Sequence, residues 1–279
     1  MRTKITPPHC RFAVGIILAA VALFCSCSKE PASEGREIIL SLSDGGAGFD
    51  VETKATPVTT IPSSLYWGMT QSNGTVKQAT VSKSVSSSQI ATGYYQTLSP
   101  TTYIHYVANA SFTAGGAMTV GNNGTDIIVG KSSSSSTAPS VVLNHIFART
   151  GTFTCNTQSG YTISNVSWTI TSSGSVTGTA GTYDMASQSW TSRSSALAET
   201  AVSSSSDLFL LPGQYTVKVT YTLTKGDYVA SFTKSGTVSL VAGKVNNISC
   251  IAVGGNATEI VISCSLTAWG TQSVSMTLS

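Results

Sequence analysis

Cysteine, histidine, serine and the acidic side chains are the groups in this 279-residue chain that could attack a substrate, hold a metal or move protons. Their spacing builds none of those sites. His105 and His145 each sit in an alternating stretch with no Asp, Glu or Cys at ligand spacing, so both read as structural histidines. Cys155, Cys250 and Cys264 form no C-x-x-C pair and no zinc pattern. Cys250 and Cys264 fall in neighbouring predicted strands, which leaves two readings open: a bridge between them, or buried thiols acting as small hydrophobes. Serine is abundant, but no G-x-S-x-G elbow, phosphate-binding loop or dinucleotide fingerprint accompanies it. "SDGGAG" at 43–48 has neither lysine nor a following helix, so it reads as a loop. The acidic residues are scattered. The expectation is a non-enzyme, with no catalytic residues, no metal and no cofactor.

The chemistry that remains is covalent processing. Arg2, Lys4 and Arg11 precede the apolar run "FAVGIILAAVALF", which is short for a membrane span and suits a signal peptide. It ends in "CSCSKE", which resembles a relaxed bacterial lipobox. Residues 1–26 are then a lipoprotein signal peptide, and Cys27 carries the lipid. Cys25 is the weaker candidate because bulky Phe24 would stand at the cleavage position, and an ordinary secretory signal is the alternative. Acyl chains on Cys27 would hold the protein to a membrane.

Composition narrows the partners. Charged residues make up 10% of the chain, well below the usual quarter. The formal charge of +3 comes from the three basic residues of the signal peptide. No basic field is left to hold nucleic acid. The remaining length suits one large β domain or two ordinary ones, enough for a core without a disulfide scaffold.

Apolar periodicity is two almost throughout. "QYTVKVTYTLT" places Tyr215, Val217, Val219, Tyr221 and Leu223 on one face, and "TYIHYVAN", "YTISNVSW", "GTVSLVA", "NNISCIAV" and "EIVISCSL" alternate likewise. Turn signals separate them at Asn73-Gly74, Gly115-Gly116, Lys225-Gly226-Asp227 and elsewhere. Short strands with regular turns predict an all-β sandwich architecture. The serine run "KSSSSSTAPS" (131–140) reads as a mobile boundary between an N-terminal domain, 37–138, and a C-terminal one, 139–279.

Two alternating stretches lie at the ends of this plan. "EIILSLS" puts Ile38, Leu40 and Leu42 on one face, between trypsin-type residues Arg36 and Lys54. "QSVSMTLS" puts Val274, Met276 and Leu278 on one face at the C-terminus.

Five stretches go together along the chain: the lipobox with "CSKE", "VETKATP", "VVLNHIFARTGTF" (141–153), "LFLLPGQY" (208–215), and "VAGKVNNISCIAV" followed by "EIVISCSLTAW". In their order and spacing they resemble the fimbrillins, the type V pilus subunits of Bacteroidales, and their Mfa-like relatives. Asn246 departs from the pattern, standing where an aromatic is usual. The resemblance spans nearly the whole chain and implies two tandem transthyretin-like antiparallel β-sandwich domains. It also implies lipid-anchored export to the cell outer membrane and removal of an N-terminal strand by a trypsin-like protease. A cut after Lys54 would detach the 27–54 propeptide with its strand Ile38, Leu40, Leu42. A cut after Arg36 would release the lipid but keep the strand, so Lys54 is favoured. Loss of an edge strand would expose unpaired backbone and an apolar trough. Val274, Met276 and Leu278 of another subunit would refill them, giving a head-to-tail fimbria for surface adhesion. Two alternatives stay open: residues 272–279 as the last strand of their own domain, and a pilus anchor or tip. A rival from another class is a monomeric surface lipoprotein that binds glycan or host ligand through aromatic loops at Tyr66-Trp67, Tyr94-Tyr95, Trp168, Trp190 and Trp269.

Overall fold

The computed structural model describes residues 35–44, 58, 60–96, 101–121, 125–172, 178–194, 196–204, 207–252, 261–268 and 273–274. Among these there are nineteen strands and no helix. The first eight are β1 (Arg36–Asp44), β2 (Ser64–Gln71), β3 (Val76–Ser84), β4 (Gln89–Gln96), β5 (Tyr103–Ala108), β6 (Ala117–Val120), β7 (Ile128–Ser134) and β8 (Ser140–His145). Then come β9 (Ala148–Thr157), β10 (Thr162–Ser172), β11 (Ala180–Asp184), β12 (Ser189–Ser194), β13 (Thr200–Val202) and β14 (Phe209–Leu210). Last are β15 (Gly213–Lys225), β16 (Tyr228–Leu240), β17 (Lys244–Ala252), β18 (Val261–Ala268) and β19 (Ser273–Val274).

The C-terminal half is a sandwich of two sheets, ordered β13-β10-β15-β16 and β14-β9-β17-β18-β19. The alternation of β15 is met in full: Tyr215, Val217, Val219, Tyr221 and Leu223 are all buried, facing Phe153, Ile248, Cys250 and Cys264. Gly226 at φ 58° closes the hairpin to β16, in the left-handed region glycine enters without strain.

In the N-terminal half seven strands form one sheet, ordered β3-β2-β5-β7-β8-β1-β4. Its terminal strands β3 and β4 are consecutive in the chain, and all its strands except β3 send side chains into one core. The sheet is therefore rolled over itself, with both walls of that core built from a single ladder. Each half also contains one parallel pair, β1 with β8 and β9 with β17, which alternation does not encode.

The expected boundary at 138/139 is corrected. The serine run is a hairpin of the first sheet, with Lys131–Ser134 paired to β5 and Ser140–His145 forming β8 between β7 and β1. The chain passes to the second sandwich only through Ile146 and Phe147. Serines on the outer face of a strand need bury nothing, so their abundance marks a polar face and not a linker.

The halves also share a core. β6 pairs with β11, and β11 with β12, giving a three-stranded sheet drawn from both halves. Met118, Tyr183, Met185, Phe209 and Leu211 pack there against Tyr106, Ala108 and Val129. Tyr103, His105 and Val107 of β5 face the rolled core, while Tyr106 and Ala108 face this second one. The middle of the first sheet is thus covered on both faces.

Candidate functional site

β1 carries the geometry of interest. Ile38 and Leu40 are fully buried and Leu42 nearly so, while Ile39 between them is 38% exposed, as the two-residue period requires. The three inward side chains pack with Leu65, Trp67, Ile90, Tyr103, Val141 and Leu143.

The backbone of β1 is gripped on both sides. It runs antiparallel to β4 and parallel to β8. Ile39 N–H donates to Thr137 O at 2.8 Å and Ser41 N–H to Pro139 O at 3.0 Å. On the other side the Thr92 hydroxyl donates to Ile38 O at 2.7 Å, and Leu42 N–H to Ser88 O at 2.8 Å. The expectation of an edge strand is therefore corrected: β1 is an interior strand. Interior or edge status is decided by β8, which arrives about a hundred residues later in the chain, so no local pattern could show it. Taking β1 away would leave two facing ladder edges above an apolar trough.

Arg36 is exposed but lies in the ladder, opposite Gln96. Lys54 falls outside the described residues, within the 45–57 stretch that joins β1 to the rest of the chain. That stretch ends at an anchor. Val58 N–H donates to Asp126 Oδ2 at 2.9 Å, and the same oxygen meets His145 Nδ1 at 2.7 Å. Asn109 holds the Asp126 segment from behind, its Nδ2 donating to Asp126 O at 2.9 Å while its Oδ1 accepts Ile128 N–H at 3.0 Å. Sequence spacing missed the Asp126–His145 pair because the two lie nineteen positions apart.

The motif residues resolve into packing roles. His145, Ala148 and Arg149 follow one another across the crossing between halves. Arg149 Nε donates to Asp207 Oδ1 at 2.9 Å, and a second nitrogen to Oδ2 at 3.3 Å, in a buried two-pronged ion pair. "LFLLP" lies beside them: Phe209 and Leu210 of β14 pair with Arg149 and Ala148. The Tyr215 hydroxyl donates to Leu211 O at 2.8 Å, and its burial raises its pKa. Asn246, fully buried, accepts Val241 N–H at 3.0 Å and donates to Arg149 O at 3.0 Å and Lys244 O at 2.9 Å. An amide in this position thus joins backbone from three directions.

His105 is also buried. Its Nδ1 accepts Trp67 Nε1–H at 3.4 Å, its Nε2 has no hydrogen-bond partner, and desolvation lowers its pKa to about 4. It is neutral at physiological pH. Among the described residues no group of three His, Cys, Asp or Glu could hold a metal ion. Trp67 and Trp168 lie in cores, and Trp190 packs half-buried on Tyr183 and Phe147. Among the aromatic side chains considered for ligand binding, Tyr95 stands out at 60% exposed, and Trp269 lies outside the described residues.

Of the C-terminal candidates, Val274 lies in β19, where Ser273 and Val274 pair with Thr267 and Leu266 of the same chain. Met276 and Leu278 lie outside the described residues, as does Cys27.

No family model matches this chain, and no curated protein matches its sequence. Solved structures do match. A "putative cell adhesion protein" from Bacteroides uniformis aligns over 84% of this chain and 98% of its own, at 13% identity and a TM-score of 0.50. A fimbrial protein from Bacteroides vulgatus aligns over 84% and 99%, at 12% identity and 0.46. The fimbrial anchor protein Mfa2 from Porphyromonas gingivalis aligns over 86% and 100%, at 10% identity and 0.38. The likeness to the Bacteroides uniformis structure carries the conclusion, and it concerns architecture alone: the chain shares the all-β fold of that structure.

Proposed function

We propose that this protein is a structural subunit of a Bacteroidales type V fimbria, a non-enzyme serving surface adhesion. It is exported as a lipoprotein on Cys27 and assembled by strand exchange once proteolysis frees β1. The observation that carries this reading is the position of β1. The first of the described strands is an interior strand, and the chain continues from it to the other strands through 45–57, the stretch that holds Lys54.

A protease needs extended, unpaired backbone. Arg36 sits inside a paired ladder, which favours Lys54 as the cut. Removal of β1 leaves β4 and β8 with unpaired N–H and C=O groups and empties the space of three buried side chains. A strand inserted there gains a ladder on both sides, more than an edge addition provides. The C-terminal segment of another copy supplies Val274, Met276 and Leu278 with the same two-residue spacing as Ile38, Leu40 and Leu42. Ser273 and Val274 would leave β18, giving up a short pairing worth about 1 kcal/mol per hydrogen bond. After the cut, Val58 would keep its hydrogen bond to Asp126.

The test is the N-terminus and intact mass of the protein sheared from its native host. A start at Ala55 without lipid supports strand exchange. Acylated Cys27 on every copy overturns the shaft assignment and leaves an anchor or a monomeric ligand-binding lipoprotein.

A further inference from the structure

We infer that Cys155 and Cys250 form a structural disulfide that bolts β9 to β17 in the C-terminal sandwich. The two residues are 95 positions apart in sequence yet directly opposite in the parallel register of these strands. Neighbouring strands lie about 4.7–4.9 Å apart, inside the roughly 4.4–6.8 Å Cα separation that a disulfide spans. Both side chains point the same way, and the two thiols, free in this structure, touch: the Cys250 thiol donates to the Cys155 sulfur at 2.7 Å. Cys264, the partner considered for Cys250 from sequence, is placed differently. Cys250 stands opposite Ile262 in β18, and Cys264 stands opposite Ile248. That makes Cys264 a diagonal neighbour, about 7–8 Å away and beyond easy bridging.

The chemistry is asymmetric. Cys155 is half-buried and Cys250 is 1% exposed, so an oxidant reaches Cys155 first. The hydrogen bond from Cys250 holds the Cys155 thiol below its ordinary pKa, favouring the attacking thiolate. That thiolate attacks one sulfur of a small-molecule or protein disulfide, whose S–S bond breaks and whose first thiolate leaves. Cys250, losing its proton, then attacks the Cys155 sulfur of the mixed disulfide and expels the second thiolate. The protein pair loses two electrons and two protons, and the oxidant gains both as two thiols.

The location gives the bond a purpose. β17 leads through β18 to the C-terminal segment, while β9 enters from the first half. A covalent tie between them keeps the β17–β18 hairpin from peeling away from the sandwich when the C-terminus bears load. Its formation in the cell rests on the export reading, since an oxidising compartment is needed; the geometry does not.

The test equilibrates the purified full chain with mixtures of oxidised and reduced glutathione, followed by acid quench, alkylation and peptide mapping. The expected product yields a cross-linked peptide containing Cys155 and Cys250, two hydrogen masses below the sum of its reduced parts. Cys264→Ser preserves that product and Cys155→Ser abolishes it. Reduction lowers the unfolding midpoint by roughly 10 °C, the size expected for closing a loop of this length in a domain of this size. A cross-link joining Cys250 to Cys264, or a Cys155 that stays alkylatable in every mixture, overturns the inference. Should Cys155→Ser not fold, the alkylation pattern of the unmutated protein decides alone. The same map made on protein taken from cells reports separately on export. A bond that forms in glutathione but is absent in cells counts against export and leaves the pairing intact.

Discussion

Replacing Leu40 with alanine should loosen β1 in the rolled core it helps to fill. Leu40 is fully buried in the rolled core, against side chains of the other strands of that sheet. Truncating a leucine in such a place costs about 2–5 kcal/mol, the transfer term plus the cavity. While β1 is covalently attached, the cost is borne as reduced stability of the N-terminal half. Once the chain is cut between β1 and Val58, the same cost appears as weaker retention of the β1 peptide. At 1.4 kcal/mol per decade this is about 30- to 4,000-fold, expressed mainly in the dissociation rate. Ile39 supplies the internal control. It lies in the same strand but points outward, so Ile39→Ala should cost under about 1 kcal/mol and change release less than fivefold or so. The assay cuts each protein after Lys54, separates peptide from body by gel filtration at set times, and quantifies retained 27–54 peptide by mass. Polymer ladders on unheated gels should appear in the same order, Leu40→Ala first. Equal release from the two variants would refute the argument. So would polymer that grows while β1 remains bound.

Three further outcomes follow from the buried polar groups. Asp207→Ala leaves the Arg149 guanidinium without its buried carboxylate and should cost about 3–5 kcal/mol in urea unfolding, whereas replacing both partners with apolar residues should recover most of the loss. Asn246→Ala strands the Val241 N–H and the carbonyls of Arg149 and Lys244, and should cost about 1–3 kcal/mol for each group that water does not reach. His105 gives a pH dependence whose sign is fixed: its folded pKa of about 4 lies below the unfolded value near 6.5, so the unfolded chain binds the extra proton between them. Its contribution is fully present above about pH 6.5 and is lost as pH falls toward 4, about 3 kcal/mol in all; urea midpoints measured across that window should fall in the native protein and flatten in His105→Gln.

Much of the architecture was legible in the chain itself. The two-residue period of β15 and of β1 fixed which side chains face inward, because a strand offers only two faces and water decides between them. Asn73-Gly74 and Gly226 marked their turns because a positive φ suits few other residues. The absence of ligand spacing around the histidines left the reading with processing and assembly. Tertiary structure decided what depends on which strand lies beside which. Pairing partners are chosen by total burial and hydrogen bonding across the whole sheet, and no window of sequence contains both partners. Hence β1 turned from an edge into an interior strand when β8 arrived beside it. The serine run turned from a linker into a hairpin, and a shared core joined the halves through β6 and β11. Asp126 reached His145, Asp207 reached Arg149, and Cys155, not Cys264, came to rest against Cys250, because distances of this kind are set by the folded ladder and not by spacing along the chain.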